Sequence, residues 1–320
     1  LHHRKLRFFA CFCLALAASP TFFNNLPRPT IVTDIPRKNR KPLVDSPWKQ
    51  SASRPLREHS AAATDAPRER KPLRPSGELR LYGLNACRAA FANRPQDLRK
   101  VYLSEARVAD LKPVLAWCVK HRLGYRVVET MDLDKLTGSR HHEGVCFEML
   151  RHPPKGLADL LADLPAAPAP ALLIWLDGVG NPHNLGALLR SAAHFDVAGV
   201  IVPTSSSLDL SGAAARVAEG GAEFVPMARV DDVPAALQAL RAAGFDVVAT
   251  VPAGAADLYA SRLAARSVLV FGAEGEGMSR ELIAAATQRL SIPGSGRVES
   301  LNIAASAAVL LAEYWRQTRH

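Results

Sequence analysis

The sequence predicts an α/β protein whose C-terminal half contains a largely parallel sheet. Short, continuous apolar runs recur after residue 170 and alternate with stretches of helical spacing. Continuous apolar strands are typical of a sheet that helices cover on both faces, as happens in parallel sheets. With 320 residues, of which 48% are apolar, the chain has room for one large or two modest globular domains.

Residues 1–78 predict a disordered basic arm. They are rich in Pro, Arg, Lys and Ser, so they bury too little apolar surface to offset the entropy of ordering. They carry 15 Lys and Arg against 6 Asp and Glu, whereas residues 79–320 carry 25 against 24. A basic arm favours a polyanionic partner such as RNA, and a solvated tail without a partner is the alternative.

The beginning of this arm, residues 1–18, has the outline of a secretory signal peptide. Three basic residues precede an apolar run from Phe8 to Ala18, which is too short to span a bilayer. Because the rest of the chain favours a cytosolic RNA enzyme, we interpret residues 1–18 as a mis-assigned or functionally irrelevant stretch. We expect no membrane association.

The five cysteines are scattered along the chain and form no C-x-x-C pair. This pattern argues against a disulfide framework and against a structural zinc site. We therefore expect a reducing, cytoplasmic environment and no metal.

Residues 79–150 predict a small α/β domain, because strands and helices alternate along them. His141 and His142 stand beside Glu143, but adjacent side chains point apart and no third ligand has a useful spacing, so a polar loop is favoured over a metal site. The predicted elements are a helix that begins near Cys87, a strand at 100–103, a helix at 111–121, a strand at 125–128, a helix at 132–136 and a strand at 145–150.

Residues 151–170 contain five prolines and predict a linker with one short helix. Residues 171–320 predict a second α/β domain, and parallel sheets of this kind bind ligands at the carboxyl ends of their strands. Its predicted strands lie at 172–176, 199–202, 223–226, 246–250, 267–271 and 290–292.

The segment N-L-G-A-L-L-R follows the first of these strands and places Asn184 at a helix start, with Arg190 six residues further on. We expect both side chains to lie on the same side and to face one pocket. There the guanidinium of Arg190 would bind a phosphate or a developing oxyanion. A helix cap and a surface arginine are the alternative.

A glycine-rich segment, F-G-A-E-G-E-G, begins at the last residue of the strand predicted at 267–271 and continues as a loop. Its G-x-x-G-x-G spacing differs from the dinucleotide fingerprint G-x-G-x-x-G, and it lacks a phosphate-loop lysine. We therefore disfavour a nicotinamide or ATP site. A loop that holds a nucleoside and a plain turn both stay open.

Residues 290–319 predict a strand, a glycine turn and a helix. Gly294 and Gly296 let the backbone approach a ligand closely. Ser300 and Asn302 place a hydroxyl and an amide at the mouth of the helix, where free N–H groups favour polar or anionic groups. Caps without a further function are the alternative.

In this order and spacing, N-x-x-x-x-x-R, F-G-A-E-G-E-G and I-P-x-x-x-x-V-E-S-L-N resemble the motifs of the SpoU (TrmH-like) family of RNA ribose 2′-O-methyltransferases, in the SPOUT superfamily. The resemblance covers residues 172–319. Residues 81–150 resemble the small substrate-binding domain that often precedes this catalytic domain. The segment 214–226, with A-E-G-G-A-E, resembles a subgroup of tRNA/rRNA methyltransferases.

The resemblance implies a catalytic domain with a trefoil knot. The alternation of strands and helices alone would predict an ordinary doubly wound sheet, because chains rarely form knots. It also implies a homodimer formed through helices of the knotted domain, S-adenosylmethionine as cofactor, structured tRNA or rRNA as substrate, and no metal. The implied catalytic residues are Asn184, Arg190, Glu274, Ser300 and Asn302, and the implied cofactor-binding residues are Thr250, Gly272, Gly277, Ile292 and Leu301.

Gly294 departs from the family pattern, in which Met commonly follows Ile-Pro. We expect this change to loosen the adenine pocket without abolishing binding, because Ser300, Leu301 and Asn302 are all present.

The sequence therefore predicts an S-adenosylmethionine-dependent methyltransferase that acts on a ribose 2′-hydroxyl of structured RNA, gripped by residues 79–150 and by the basic arm. An RNA-binding relative without turnover is the alternative. Substitution at Arg190 or Asn302 would favour it, and neither residue is substituted. The glycine spacing weakens a third interpretation, a nucleotide-dependent oxidoreductase.

Overall fold

The structure, a computed structural model, describes residues 77–273, 275 and 277–318. The predictions made for residues 1–76, including the disordered arm and the signal-like segment, lie outside the described residues. Within the part of the chain that is described, no helix is both long and apolar enough to cross a membrane.

The first domain alternates strands and helices, as the sequence predicts. Its elements are β1 (Glu78–Tyr82), α1 (Leu84–Asn93), β2 (Leu98–Leu103), α2 (Lys112–His121), β3 (Gly124–Val127), α3 (Thr130–Thr137) and β4 (Val145–Leu150). The strands lie in the order β1-β4-β2-β3, with β3 parallel to β2 and the other pairs antiparallel. Alternate residues of β2 and β4, including Val101, Leu103 and Phe147, are buried in a core shared with α1 and α2.

The second domain alternates strands and helices around a parallel sheet. Its elements are β5 (Lys155–Gly156), α4 (Leu157–Ala162), β6 (Ala171–Leu176), α5 (Pro182–His194), β7 (Gly199–Pro203), α6 (Gly212–Val217), β8 (Met227–Val230), α7 (Val233–Ala242), β9 (Asp246–Thr250), β10 (Ala256–Asp257), β11 (Arg266–Phe271), α8 (Arg280–Ala285), β12 (Gln288–Ser291) and α9 (Ile303–Thr318). The described strands form one sheet in the order β10-β12-β9-β11-β6-β7-β8-β5, and the pairs are parallel. The parallel sheet that the apolar runs predict is therefore confirmed.

Helices bury both faces of this sheet, which explains why its strands are apolar throughout. Successive residues of β6 point to opposite faces. Ile174 belongs to the core that includes residues of α5 and α9, and Trp175 belongs to the core that includes residues of α7 and α8. Both side chains are fully buried.

The strand predicted at 223–226 is wrong. Residues 221–223 form a 3₁₀ turn, and the strand, β8, begins at Met227. Two glycines hold this turn close to neighbouring helices, since an added Cβ at Gly220 would lie 2.7 Å from the Cβ of Ala89 and one at Gly221 would lie 2.7 Å from the carbonyl oxygen of Leu189. The chain therefore reaches the sheet later than its apolar residues suggest.

The segment predicted as a linker, 151–170, contributes to the second domain. The predicted short helix is confirmed as α4, and residues 155–156 add an edge strand next to β8. Leu160 of α4 is buried against Gly199, where an added Cβ would lie 2.8 Å from a methyl group of Leu160. The sequence did not predict this packing for two reasons. The segment is rich in proline, and a two-residue strand leaves no periodic pattern in a sequence.

Candidate active site

Four neighbouring strands of the large sheet end at the same edge. β12, β9, β11 and β6 are adjacent and parallel, so the loops that follow Ser291, Thr250, Phe271 and Leu176 begin side by side. The loops after Leu176, Phe271 and Ser291 carry the three sequence motifs. The structure thus gathers the motifs at the carboxyl edge of a parallel sheet, where such sheets bind ligands.

Two of the motifs are in direct contact there. Asn302 donates a hydrogen bond from Nδ2 to Oδ1 of Asn184, with 3.1 Å between the atoms. The other end of the Asn302 amide, Oδ1, accepts the backbone N–H of Ala304 at 2.9 Å and so orients the side chain at the start of α9. Ser300, two residues before Asn302 in the chain, is exposed. Asn302 therefore caps α9 with one end of its amide and contacts the first motif with the other.

The glycine-rich loop after β11 is closed by its own backbone. The N–H of Ala273 donates to the carbonyl of Gly277 at 2.9 Å, and the N–H of Gly277 returns a bond to Ala273 at 3.0 Å. An added Cβ at Gly272 would lie 2.4 Å from the carbonyl carbon of Gly277, so only glycine fits. Asp177 ties the loop to the end of β6 by accepting the N–H of Ser279 at 2.7 Å. Glu274 lies outside the described residues.

The remaining sequence-predicted cofactor residues flank these loops. The hydroxyl of Thr250 donates to the carbonyl of Val270 at 2.8 Å, so its side chain supports the sheet edge. Ile292 packs against the core. Leu301, by contrast, is 47% exposed, and Val298 is 70% exposed, which gives the loop after β12 an apolar surface.

Comparison with known proteins identifies the family of this fold and these motifs. The profile of the SpoU rRNA Methylase family matches residues 171–312, and the profile described as RNA 2′-O ribose methyltransferase substrate binding matches residues 80–153. Over 242 residues the chain is 38% identical to a protein of Escherichia coli O157:H7 named uncharacterized tRNA/rRNA methyltransferase YfiF, and the match covers 76% of this chain and 69% of that protein. The chain belongs to the SpoU rRNA methylase family.

Two further similarities agree with this family. The chain is 39% identical over 243 residues to the 23S rRNA (guanosine-2′-O-)-methyltransferase RlmB of Pasteurella multocida (strain Pm70), and the match covers 74% of this chain and 97% of RlmB. The crystal structure of an AdoMet-bound rRNA methyltransferase from Sinorhizobium meliloti shares the fold, with a TM-score of 0.63, 24% identity and coverage of 75% of this chain and 87% of that one. The sequence-predicted family and α/β fold are confirmed.

Arg190 of this SpoU family member lines a groove whose lining residues do not include Asn184 or Asn302. Its exposed side chain lines a groove on another face of α5, and it makes no hydrogen bond or ion pair with the described residues. The expectation that Arg190 and Asn184 face one pocket stays a prediction. Six residues turn an α-helix through about 600°, which leaves the two side chains about 120° apart, and separate them by about 9 Å along its axis.

The groove beside Arg190 was missed by sequence reasoning, because its walls come from both domains. Its volume is about 620 Å³. Its lining residues are Asn85, Ala89, Arg190, Ser191, Ala193, His194, Phe195, Ala218, Glu219, Gly220, Gly221 and Phe224. They belong to α1, to α5 and to the turn between α6 and β8, so the small domain forms one wall of the groove.

Two ion pairs hold the domains together next to this groove. The guanidinium of Arg94 binds the carboxylate of Glu223 through two hydrogen bonds of 2.7 and 2.9 Å. Both side chains are largely buried, at 18% and 8% exposure. A second pair joins Arg216 to Glu143 at 3.2 Å, and Glu143 also accepts the backbone N–H of Leu84 at 2.9 Å. The domain contact is thus made by charge-assisted bonds.

His142, which the sequence places in a polar loop, has a structural role. It is 3% exposed, accepts the N–H of Gly144 at its Nδ1 and lies 3.2 Å from Asp134 through its Nε2. No group of three or more His, Cys, Asp or Glu side chains that could hold a metal ion occurs among the residues described.

The buried cysteines of the small domain have no chemical role in this site. Burial raises the pKa of the Cys87 thiol well above its usual range and raises that of Cys146 to about 12. Both side chains are therefore neutral thiols at physiological pH, and they fill the core as small apolar groups.

Proposed function

We propose that this protein transfers a methyl group from S-adenosylmethionine to a ribose 2′-hydroxyl of tRNA or rRNA. The contact between Asn184 and Asn302 carries the proposal, since it unites two family motifs at the ligand-binding edge of the sheet. The match of residues 80–153 to an RNA 2′-O ribose methyltransferase substrate-binding domain supports the substrate class.

The residues present fit S-adenosylmethionine. Exposed Leu301 and Val298 offer apolar surface for an adenine. Among the described residues, no atom lies within 4 Å of an added Cβ at Gly294 or Gly296, so this loop leaves open space. Backbone groups near Gly272, Ile292 and Leu301 would hold the cofactor, and Thr250 and Gly277 would shape the neighbouring loops. When bound, S-adenosylmethionine supplies an electrophilic methyl carbon on a sulfonium.

The task left to the protein is to orient the ribose hydroxyl. Alignment of a nucleophile with the reacting carbon can contribute on the order of several kcal/mol to the acceleration. Asn184, Ser300 and Asn302 would provide it through their amide and hydroxyl groups, with Glu274 in the adjoining loop. Arg190 stays charged, so it would bind a phosphate or stabilise a developing alkoxide rather than remove the proton.

The further features implied by the family belong to the same proposal. We infer that the C-terminal strand and helix form a trefoil knot and that the protein is a homodimer. The half-exposed Trp315 on α9, near Phe195, is a candidate interface residue, with 6.4 Å between the ring centroids. An RNA substrate of this kind would place the enzyme in the cytoplasm.

Titration with S-adenosylmethionine in a calorimeter, followed by transfer of a tritiated methyl group to total RNA, tests the function. We expect binding and RNase-sensitive label, and mapping the label would identify the nucleotide. Binding without label would instead favour an RNA-binding relative without turnover. Absence of cofactor binding would contradict the proposal.

A further inference from the structure

The sheet of the first domain ends in a strand whose outer edge is open. β3 is the last strand in the order β1-β4-β2-β3, and all 4 of its residues are exposed. Val128, just after β3, donates its N–H to the carbonyl of Leu103 on β2 at 2.9 Å. Backbone groups alternate in direction along a strand, so those of Tyr125 and Val127 point away from β2. These two residues therefore offer N–H and C=O groups to a further strand.

One face of this edge is apolar. The register of the parallel pair places Tyr125 next to Val101 of β2, and Val127 next to Leu103. Neighbouring residues in such a register point to the same face of a sheet, and both β2 residues belong to the core under α1 and α2. Tyr125 and Val127 thus continue the apolar face to the edge, where they are 44% and 47% exposed.

The opposite face of the edge is basic. An added Cβ at Gly124 would lie 3.7 Å from Cγ of Lys100, so the side chain of Lys100 extends over the backbone of β3. Arg126 points to the same face as Gly124 and is exposed, and Arg122 adds an exposed cation just before the strand. Among the described residues, no ion pair engages either arginine. Glu129 follows the strand, so β3 itself carries only positive charge.

We propose that the outer edge of β3 binds a protein partner through an extended segment in which acidic and apolar residues alternate. This segment would add a strand to the sheet, with main-chain hydrogen bonds to Tyr125 and Val127. Because side chains alternate along a strand, its acidic residues would face Lys100 and Arg126, while its apolar residues cover Tyr125 and Val127. Such a partner goes beyond the proposed methyl transfer, which involves RNA and a cofactor.

Two other occupants suit the edge less well. A second copy of β3 would bring like charges together on neighbouring strands, which destabilises a sheet. RNA would satisfy the cations, but it would leave the backbone donors and acceptors of the edge without a matching strand and the apolar face uncovered. An acidic and apolar strand satisfies the charge, the backbone and the apolar face together.

A short, fluorescently labelled peptide of alternating Glu and Val tests the edge in the full chain. We expect this peptide to bind, and a matched peptide with Lys in place of Glu to bind more weakly. Arg126→Glu should lower the affinity for the Glu peptide by roughly 2- to 30-fold, because it replaces an attractive cross-strand pair by a repulsive one. Arg140→Glu, at an exposed arginine in the loop after α3, is the control. Absence of binding, or equal losses in the two variants, would overturn the proposal.

Methylation of the peptide backbone separates strand addition from attraction between charges. Every second amide of an added strand points at β3, so methylation of one alternate set of amides should abolish binding, whereas methylation of the other set should not. Equal effects of the two sets would contradict strand addition. A short unstructured RNA should leave the peptide bound. Its displacement by RNA would show that the edge is an RNA surface and would also overturn the proposal.

Discussion

Asn302 shows how one side chain can both end a helix and build a site. Its Oδ1 caps α9, while its Nδ2 reaches Asn184, 118 positions away in the sequence. A cap alone would need only the oxygen, so the amide nitrogen is available for a tertiary contact. The same amide therefore both caps α9 and holds the side chain of Asn184.

Arg190→Ala should separate cofactor binding from transfer. Arg190 lies on a different face of α5 from Asn184, so we expect unchanged affinity for S-adenosylmethionine. Loss of a preorganised cationic donor should lower methyl transfer by about 100-fold or more. Calorimetry measures the affinity for S-adenosylmethionine, and tritium transfer measures the turnover. Arg241 is an exposed arginine on α7, and Arg241→Ala serves as the control. Unchanged turnover in Arg190→Ala would refute the assigned role.

Gly272→Ala should damage the cofactor loop. Its added methyl group would lie 2.4 Å from the carbonyl carbon of Gly277, which forces the closed backbone of the loop apart. We expect the affinity for S-adenosylmethionine to fall at least about tenfold, the effect of about 1.4 kcal/mol. Gly77→Ala is the control, since its methyl group meets no described atom within 4 Å and the residue lies in the first domain, just before β1. Equal affinities of the two variants would argue against this loop as the cofactor site.

The residues of this site differ in how far sequence could identify them. Motif spacing identified Asn184 and Asn302, and the structure brings them into contact. The same spacing leaves Arg190 about 120° around α5 from Asn184, because six residues are not a whole number of turns. Asn85 and Phe224 carry no local signal, since they meet Arg190 only once two domains pack together.

At the scale of elements, the turn between α6 and β8 joins the two domains. The carboxylate of Glu223 accepts two of the three hydrogen bonds of the Arg94 guanidinium, and both side chains are largely shielded from water. Because an unpaired buried charge is expensive, the pair depends on both partners being present. The neighbouring glycines let this turn sit close enough for the contact.

Glu223→Ala should destabilise the protein by about 1.5–3 kcal/mol, because it removes two charge-assisted hydrogen bonds, while Arg94 keeps Asp97 at 3.6 Å and the carbonyl of Leu150 as partners. Lys135→Ala breaks an exposed pair with Asp132, at 74% and 56% exposure, and should cost less than about 1 kcal/mol. Urea unfolding of both variants measures the free energies. Similar destabilisation of the two would mean that the Arg94–Glu223 pair is not what holds the domains together.

The C-terminal helix α9 contains an acid-sensitive contact. Hydrogen bonds from Arg316, and also from Gln317, lower the pKa of Glu313 from 4.5 to about 2. A carboxyl whose pKa is lower in the folded state stabilises it above the unfolded pKa, and this contribution is lost as the pH falls toward the folded value. The window is therefore about pH 4.5 to 2.

Glu313→Gln should remove this part of the pH dependence. We expect the variant to be less stable than the wild type at neutral pH, and the difference in free energy of unfolding to shrink between pH 4.5 and 2. Glu105→Gln, at an exposed position, serves as the control. A difference that stays constant over this window would show that the Glu313 contact does not contribute.

The sequence predicted those strands well whose residues are apolar because both faces of the strand are buried. The strands at 172–176 and 246–250 are buried on both faces, and their apolar runs predicted them closely. The strand near residue 223 was misplaced because Phe224, an apolar residue, faces the groove instead of the core. β5 escaped notice because its pairing with β8 is a tertiary contact of two residues.

At the scale of the whole molecule, charge and catalysis are located in different parts of the chain. Residues 79–320 are nearly neutral, with 25 basic and 24 acidic residues, whereas the excess positive charge lies before them. The described part of the chain therefore offers RNA single charged side chains such as Arg190, and its net charge is too small for a broad basic surface. Long-range attraction of RNA would have to come from the N-terminal residues.

Removal of residues 1–76 tests this separation. The deletion removes 15 of the 40 Lys and Arg and leaves β1, which begins at Glu78, intact. We expect an unchanged melting temperature and unchanged affinity for S-adenosylmethionine. RNA affinity should fall, and the slope of log affinity against log salt should become shallower by about 0.7–0.9 for each phosphate that the arm no longer neutralises. A variant in which the same 15 residues are changed to Gln separates the effect of charge from that of length. If the deletion leaves RNA affinity and its salt slope unchanged, the arm has no part in RNA binding, and the folded domains alone bind the substrate.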